Sequence, residues 1–487
     1  MTSKKIIQGF LLFNILIIIY GYWVGFTKSF WWDELLSIHY AREISNLNLK
    51  EIFTQDANAP FFYIFLNLFE QLLKTFNLNI DEKIYLLKVA NLIGFIPILL
   101  SYKILNEEKS QIDINIVFIL LISSNYFIYY ILDLRPYFLL LSFTFLISVL
   151  NLTNTLEEKH KYLFIFSSII ISIFHIYGLT LSMSILSYRL ILNCYQKNFY
   201  KLKIDIFFIV VLFLVFFFSY FLQITNSEVM SKFSYLKFHL WFVRAFMTWT
   251  LNASIFLFFS GIFIIYLNYQ NSLSIKYFFK SFLDKAYLNI LGQIVPIIIL
   301  LFVILIVSLM VFPIIHFRQL IVIYPSLALV GGLFANILFK KNFTKIYFVI
   351  FLIIATFINI KFYLRNITYS EQNIEWVIKK TFNKKCEGSN VYFNDDGRKN
   401  ILNYVNSLVD IYSNNFRPIK PLSELNSNNF QIKKNCDVII FSFHTYNLEE
   451  NLKNLNYNNL KLNIKYAPKV INKDTSKAGA IVIVEKN

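Results

Sequence analysis

The sequence predicts a polytopic α-helical membrane protein carrying a small α/β domain at its C-terminal end, and three observations lead there. Of the 487 residues, 57% are hydrophobic and only 15% charged, against roughly 45–50% and about 25% in soluble domains. The mean hydropathy is +0.55, which over such a length excludes a soluble enzyme. The 54 Phe, 31 Tyr and 6 Trp would overfill a globular core, whereas lipid-facing helices and interfacial belts absorb them. The apolar character then stops near Tyr363, and the remainder is rich in Asn, Lys and acidic residues. With 12 Gly and 9 Pro, collagen-like and low-complexity chains are excluded as well.

The formal charge is 46 − 29 = +17. In a soluble chain that excess would suggest nucleic acid as a partner. Here the lysines gather in short loops between apolar segments, where they set membrane orientation. No long basic run with interleaved aromatics is present, so nucleic acid is set aside.

Apolar runs long enough to span occupy about 6–24, 84–105, 112–132, 137–152, 162–177, 179–193, 204–222, 251–269, 290–312, 320–339 and 346–363. The first follows Lys4 and Lys5 and runs into bulky Phe30, Trp31 and Trp32 rather than a small-residue cleavage site, so it reads as a retained anchor with its N-terminus inside. Lys103, Lys109, Lys159, Lys161, Lys197, Lys201, Lys203, Lys276, Lys280, Lys285, Lys340, Lys341 and Lys345 then fall on alternate turns. That bias makes those turns cytoplasmic in a plasma (inner) membrane, and eleven spans leave the C-terminus outside.

Within the first outer loop, 27–82, residues 60–76 are apolar enough to cross. Asn67, Glu70, Gln71 and Lys74 give them a polar side, as in an interfacial helix. Counting this segment as a span would invert every lysine-rich turn after it, so it is laid on the outer surface. The transmembrane module is therefore 1–363 and the extracytoplasmic α/β domain 364–487. In that domain helical stretches at 371–382 and 399–408 alternate with strand-like 390–393, 438–443, 462–466 and 480–484. Cys386 and Cys436 each precede a strand, and would be within disulfide reach if those strands are parallel neighbours; two unpaired thiols are the alternative. Cys194 sits at a cytoplasmic span end, where a free thiol is expected.

On this topology the outer face collects Asp33, Glu34, Asp56, Asp133, Arg135, His175 and Arg318. Charges at membrane boundaries are costly, which makes them candidates for function. Asp33 and Glu34 fit either the first turn of a helix, as cap and dipole partner, or a partly desolvated carboxylate that takes a proton from an acceptor hydroxyl. Asp133 and Arg135, just before Pro136, read as a local ion pair with a helix cap or as a functional pair. Arg135 and Arg318 are either snorkelling anchors or guanidinium forks for a phosphate at headgroup depth. His175, before Tyr177-Gly178, is a packed turn residue or, with Asp33, Glu34 or Asp133, part of a divalent-metal site without diagnostic spacing.

The order of these signals resembles the GT-C fold glycosyltransferases that use lipid-phosphate sugars, the relatives of dolichyl-phosphate-mannose protein mannosyltransferases and of lipid A aminoarabinose transferases. Asp33-Glu34 stands where that family has an acidic pair after its first span. Asp56-Ala57-Asn58-Ala59-Pro60-Phe61-Phe62-Tyr63 matches the family's Asp-x-His-Pro-Pro-Leu-Tyr-Tyr run, departing at Asn58 and Ala59. Asp133-Leu134-Arg135-Pro136-Tyr137 matches an acid-x-Arg-x-Tyr run. His175-Ile176-Tyr177-Gly178 matches a His-Tyr-like turn, and Arg318-Gln319-Leu320 with Pro325 an Arg-Tyr-Leu run, departing at Gln319. The resemblance covers about residues 1–340.

It implies a transferase that moves a sugar from a polyprenyl or dolichyl phosphate to a hydroxyl of a glycan, lipid or protein on the outer face, by an inverting displacement. Asp33 would be the base, Arg135 and Arg318 would hold the departing phosphate, and Glu34, Asp133 and Asp56 would orient groups or, with His175, hold a divalent metal. A transporter or flippase for a lipid-linked sugar is the competing class. It should show repeat symmetry and broken mid-membrane helices. A glycan polymerase or ligase shares the donor but gives no reason for the acidic pair.

Overall fold

The computed structural model describes residues 3–26, 32–46, 60–76, 84–107, 112–152, 160–224, 250–270, 285–310, 319–338 and 342–368, and five strands between 391 and 486. Helix dominates, and the chain reads as a helical membrane protein. The helices are α1 (Ser3–Phe26), α2 (Trp32–Glu43), α3 (Phe61–Thr75), α4 (Phe95–Glu107), α5 (Ile114–Ile122), α6 (Asn125–Tyr130) and α7 (Tyr137–Leu152). They continue as α8 (Lys161–Phe174), α9 (Ile176–Tyr195), α10 (Phe199–Ile224), α11 (Leu251–Gln270), α12 (Lys285–Met310), α13 (Tyr324–Leu338) and α14 (Asn342–Thr368). Short 3₁₀ segments, Ile84–Gly94 and Gln319–Ile323, lead into α4 and α13.

Five helical segments are long and apolar enough to cross a bilayer: Lys5–Phe26, Tyr85–Glu107, Phe199–Tyr220, Asn289–Ser308 and Leu320–Leu338. Shorter apolar helices occupy Tyr137–Leu152, Lys161–Phe174, Leu251–Ile264 and Ile346–Ile358. Large apolar side chains stay exposed along α1, α10, α12 and α14, as at Trp23, Phe207, Phe218, Phe302 and Phe357. An aqueous surface would not tolerate such stripes; lipid does.

The chain divides into two compact units, one of residues 1–24, 44–65 and 88–365, the other of 25–43, 66–87 and 366–487. In the first, α7 is the central helix, with fifteen of its sixteen residues buried, and α4, α8 and α13 pack around it. Apolar contact gives no net drive between helices already in lipid, so small and polar side chains hold the bundle. Ser148 on α7 meets Ser326 on α13 at 3.0 Å, and Gln293 on α12 donates to the Ser148 carbonyl at 3.1 Å. A Cβ at Gly332 would press on Ile112 and on the Asp113 carbonyl, so glycine lets α13 approach the start of α5.

Residues 112–132, expected as one continuous span, form two helices broken at Ser123-Ser124. A break frees carbonyls that a bilayer cannot solvate, and three of them take side-chain partners. Tyr324 Oη donates to the Leu120 carbonyl at 2.6 Å, Ser124 Oγ to Leu121 at 2.8 Å, and Asn252 Nδ2 to Ser123 at 2.7 Å. Ser124 Oγ also accepts from the Phe127 amide and caps α6.

The second unit contains a five-stranded mixed sheet of β1 (Val391–Phe393), β2 (Lys420–Pro421), β3 (Val438–Ser442), β4 (Leu460–Tyr466) and β5 (Ala480–Lys486), in the order β2-β1-β3-β5-β4. β1 runs parallel to β2 and β3, with Val391 opposite Ile439, and β5 is antiparallel to β3 and β4. The β1–β3 pairing is the parallel adjacency on which the disulfide expectation turned. Cys386 and Cys436 themselves, and the stretches 371–382 and 399–408, lie outside the described residues. Cys194 is an exposed free thiol.

Candidate functional site

In the second unit, α2 places Asp33 and Glu34 in its first turn, where carboxylates favour the N-terminal end of the helix dipole. Glu34 is only 4% exposed, unusual for a carboxylate outside an apolar helix. Further along α2, burial lowers the His39 pKa below its ordinary value, opposed by the charge of Glu43.

Helix α2 is tied to α3 by a buried ion pair. Arg42 places Nη2 2.9 Å from Glu70 Oε1 and Nε 3.2 Å from Glu70 Oε2, a two-point fork. Lys74 adds a third contact at 3.1 Å, and Asn67 Nδ2 donates to the Ala41 carbonyl at 2.8 Å. Asn67 and Glu70, expected on a wet side of an interfacial helix, are thus turned onto α2. The acidic pair rides on a helix that a neighbouring helix holds by side-chain bonds at its far end.

In the first unit, Asp133, Arg135 and His175 gather at the N-terminal end of α7. The Tyr130–Arg135 stretch cannot continue as helix into Pro136. It folds instead into tight turns in which the Asp133 amide donates to Tyr130 and the Arg135 amide to Asp133. Asn91, reaching from the 3₁₀ segment, donates to the Asp133 carbonyl at 2.6 Å and to that of Tyr130 at 3.3 Å, covering carbonyls that α6 leaves unpaired at its end. Asp133 and Arg135 are 4% and 8% exposed. The Arg135 guanidinium lies 5.6 Å from the centre of the Tyr137 ring, within cation–π range.

The Tyr137 ring also lies against Tyr130, with ring centres 4.8 Å apart, and against His175, 5.8 Å away. His175 ends α8 and caps α9, its Nδ1 accepting from the Tyr177 amide at 3.2 Å. Gly178 permits that turn, because a Cβ there would stand 2.5 Å from the Ile171 carbonyl oxygen. A nitrogen that accepts a hydrogen bond carries no proton, so the ring is neutral with its hydrogen on Nε2. Nδ1, which holds the start of α9, is not open to a metal, and among the described residues no three His, Cys, Asp or Glu side chains cluster to hold one.

The side chain of Asp33, and all of Asp56 and Arg318, lie outside the described residues. Two residues escaped the sequence reading. Lys88 is 2% exposed and Asn91 fully buried, one 3₁₀ turn apart and so on one face. The available signal was Lys88 itself, a cation inside an apolar run at the end of a span where lysine bias places none.

No family model matches the chain, and neither does any curated protein or solved structure. The site must be read from its own chemistry. The first unit offers a buried guanidinium over a tyrosine at a helix start with a neutral histidine against the same ring; the second unit, described by itself, offers a first-turn acidic pair with the Glu34 carboxylate buried.

Proposed function

We propose that this protein is an integral-membrane glycosyltransferase that takes its sugar from a polyprenyl-phosphate donor. The observation that carries the reading is the burial of Arg135 at the beginning of α7. A guanidinium at the edge of an apolar helix is expensive to hold, and a lipid-linked phosphate is a ligand that meets such a group at that depth. The ordered resemblance of the acidic pair and the two arginine runs to the lipid-phosphate-sugar transferases supports the same chemistry.

In the proposed reaction Asp33 accepts the proton of the acceptor hydroxyl as that oxygen bonds to the anomeric carbon. The bond to the phosphate oxygen breaks with its electron pair, and the configuration inverts, through an oxocarbenium-like transition state. Arg135 and Arg318 stabilise the phosphate as its charge grows, an interaction stronger in the transition state than in the ground state. Glu34 and Asp133 orient these groups. The topology that goes with the reading has eleven spans, lysine-rich turns in the cytoplasm and the C-terminal domain outside.

Transfer from a panel of radiolabelled polyprenyl-phosphate sugars to membrane lipids, glycans and proteins tests the proposal. Label should move from at least one donor, and Arg135→Lys should suppress it. Intact donors across the panel with folded protein would refute the assignment.

A further inference from the structure

Away from the Arg135 site, the other ends of α8, α9 and α10 carry charge that the proposed transfer does not use. Arg189 on α9 places Nε 3.2 Å from Asp205 Oδ1 on α10, and Asn193 Nδ2 donates to Asp205 Oδ2 at 2.7 Å. The Arg189 guanidinium also lies 5.9 Å from the centre of the Phe164 ring on α8, one turn from Lys161. It is the Nε edge that faces Asp205, and 16% of the side chain is exposed against 2% for Asp205. Lys201, one turn before Asp205, adds its positive charge to the same rim.

Next to this rim is a shallow apolar groove lined by Phe164, Ser168, Leu186, Phe208, Val211 and Leu212 among others. Its position repeats on every wall. On α8 it starts one turn beyond Lys161; on α9 Leu186 lies one turn before Arg189; on α10 Phe208 and Leu212 lie one and two turns beyond Asp205. At about 5.4 Å per turn, the groove lies roughly 5–10 Å deeper than the charges. Ser168, a buried member of its lining, has no hydrogen-bond partner for its Oγ among the described residues.

We propose that this groove binds an anionic phospholipid, its acyl chain along the groove and its phosphate at Arg189 and Lys161. Charge complementarity selects that occupant. Among the described residues the rim bears Lys161, Arg189 and Lys201 against the carboxylate of Asp205, and basic residues at a bilayer surface favour anionic headgroups. The stacked order of charge above hydrocarbon matches the two parts of one lipid, so a free anion would satisfy only the upper part. This site is independent of the proposed transfer reaction.

Native mass spectrometry of the purified full-length protein, with phosphatidylglycerol or phosphatidylcholine added, tests it. Phosphatidylglycerol should be retained preferentially, and Lys161→Gln, at the half-buried rim, should weaken its retention about fivefold. Ser168→Leu, which fills the groove, should lower retention of the same lipid while the thermal transition of the protein remains. Equal retention of the two lipids, unchanged phosphatidylglycerol binding in both variants, or its full displacement by millimolar inorganic phosphate would overturn the assignment.

Discussion

Arg135 occupies a position that a lysine could reach but not reproduce. Its planar fork lies over Tyr137, and the residue is buried. If it grips a phosphate, Arg135→Lys keeps the charge and loses the second hydrogen bond, so transfer should fall about 10–100-fold, the equivalent of ~1.5–3 kcal/mol, at unchanged thermal stability. Asp33→Asn keeps the size of the side chain and removes its basicity. In that variant turnover should fall by about 10²–10⁴ while donor binding persists, which single-turnover labelling and donor-binding assays separate. On the same helix, His39 has a folded-state pKa below its ordinary value. As pH falls through about 6.5 the unfolded chain therefore takes up the proton first, and stability present above that pH is lost in acid. His39→Gln should flatten the acid side of a melting-temperature profile between pH 7 and 5; an unchanged slope would place the dependence elsewhere.

Among the elements, α12 shows how much of a membrane helix hydropathy leaves unseen. Pro296 lies inside it and, lacking an amide hydrogen, cannot bond the carbonyl four residues back, which belongs to Gly292. Asn151 at the end of α7 donates to that carbonyl at 2.7 Å, so the asparagine repairs the bond the proline removes. Asn151→Leu should orphan the carbonyl and destabilise the protein by about 1–3 kcal/mol, measured by thermal denaturation in detergent; in a Pro296→Ala background the penalty should shrink. Apolar runs do announce helices, because burial in lipid forces the backbone to satisfy itself within each segment. Tertiary repairs are different. The Ser123-Ser124 break depends on Asn252 and Tyr324, and the buried side of α3 on Arg42, partners distant in sequence that no local pattern reveals. The candidate site divides the same way: Asp133-Leu134-Arg135 and His175 stood out beside Pro136 and Gly178, but that Tyr137 lies between Arg135 and His175, and that Asn91 covers the turn, follows only from packing.

For the whole molecule, the open quantity is which side of the membrane each turn occupies, and one segment controls it. Residues 60–76 contain α3, whose Glu70 is buried against Arg42 rather than facing lipid, and α3 does not reach the length of a spanning helix. A carboxylate committed to an ion pair with α2 favours a helix lying beside α2 over one driven through hydrocarbon, where the pair would lose its remaining access to water. With α3 flat, the lysines around 103–109 and 197–203 lie on the same side as Lys4 and Lys5 before the first span, as the bias of positive residues requires. A reporter fused after Lys109 should then be active in the cytoplasm, and one fused after Tyr363 only outside it. Inverted signals at both fusions would mean that α3 spans. The Arg135 turn would then sit on the cytoplasmic side, where it could serve only a donor presented from that leaflet, and the outward-facing reaction would have to be abandoned.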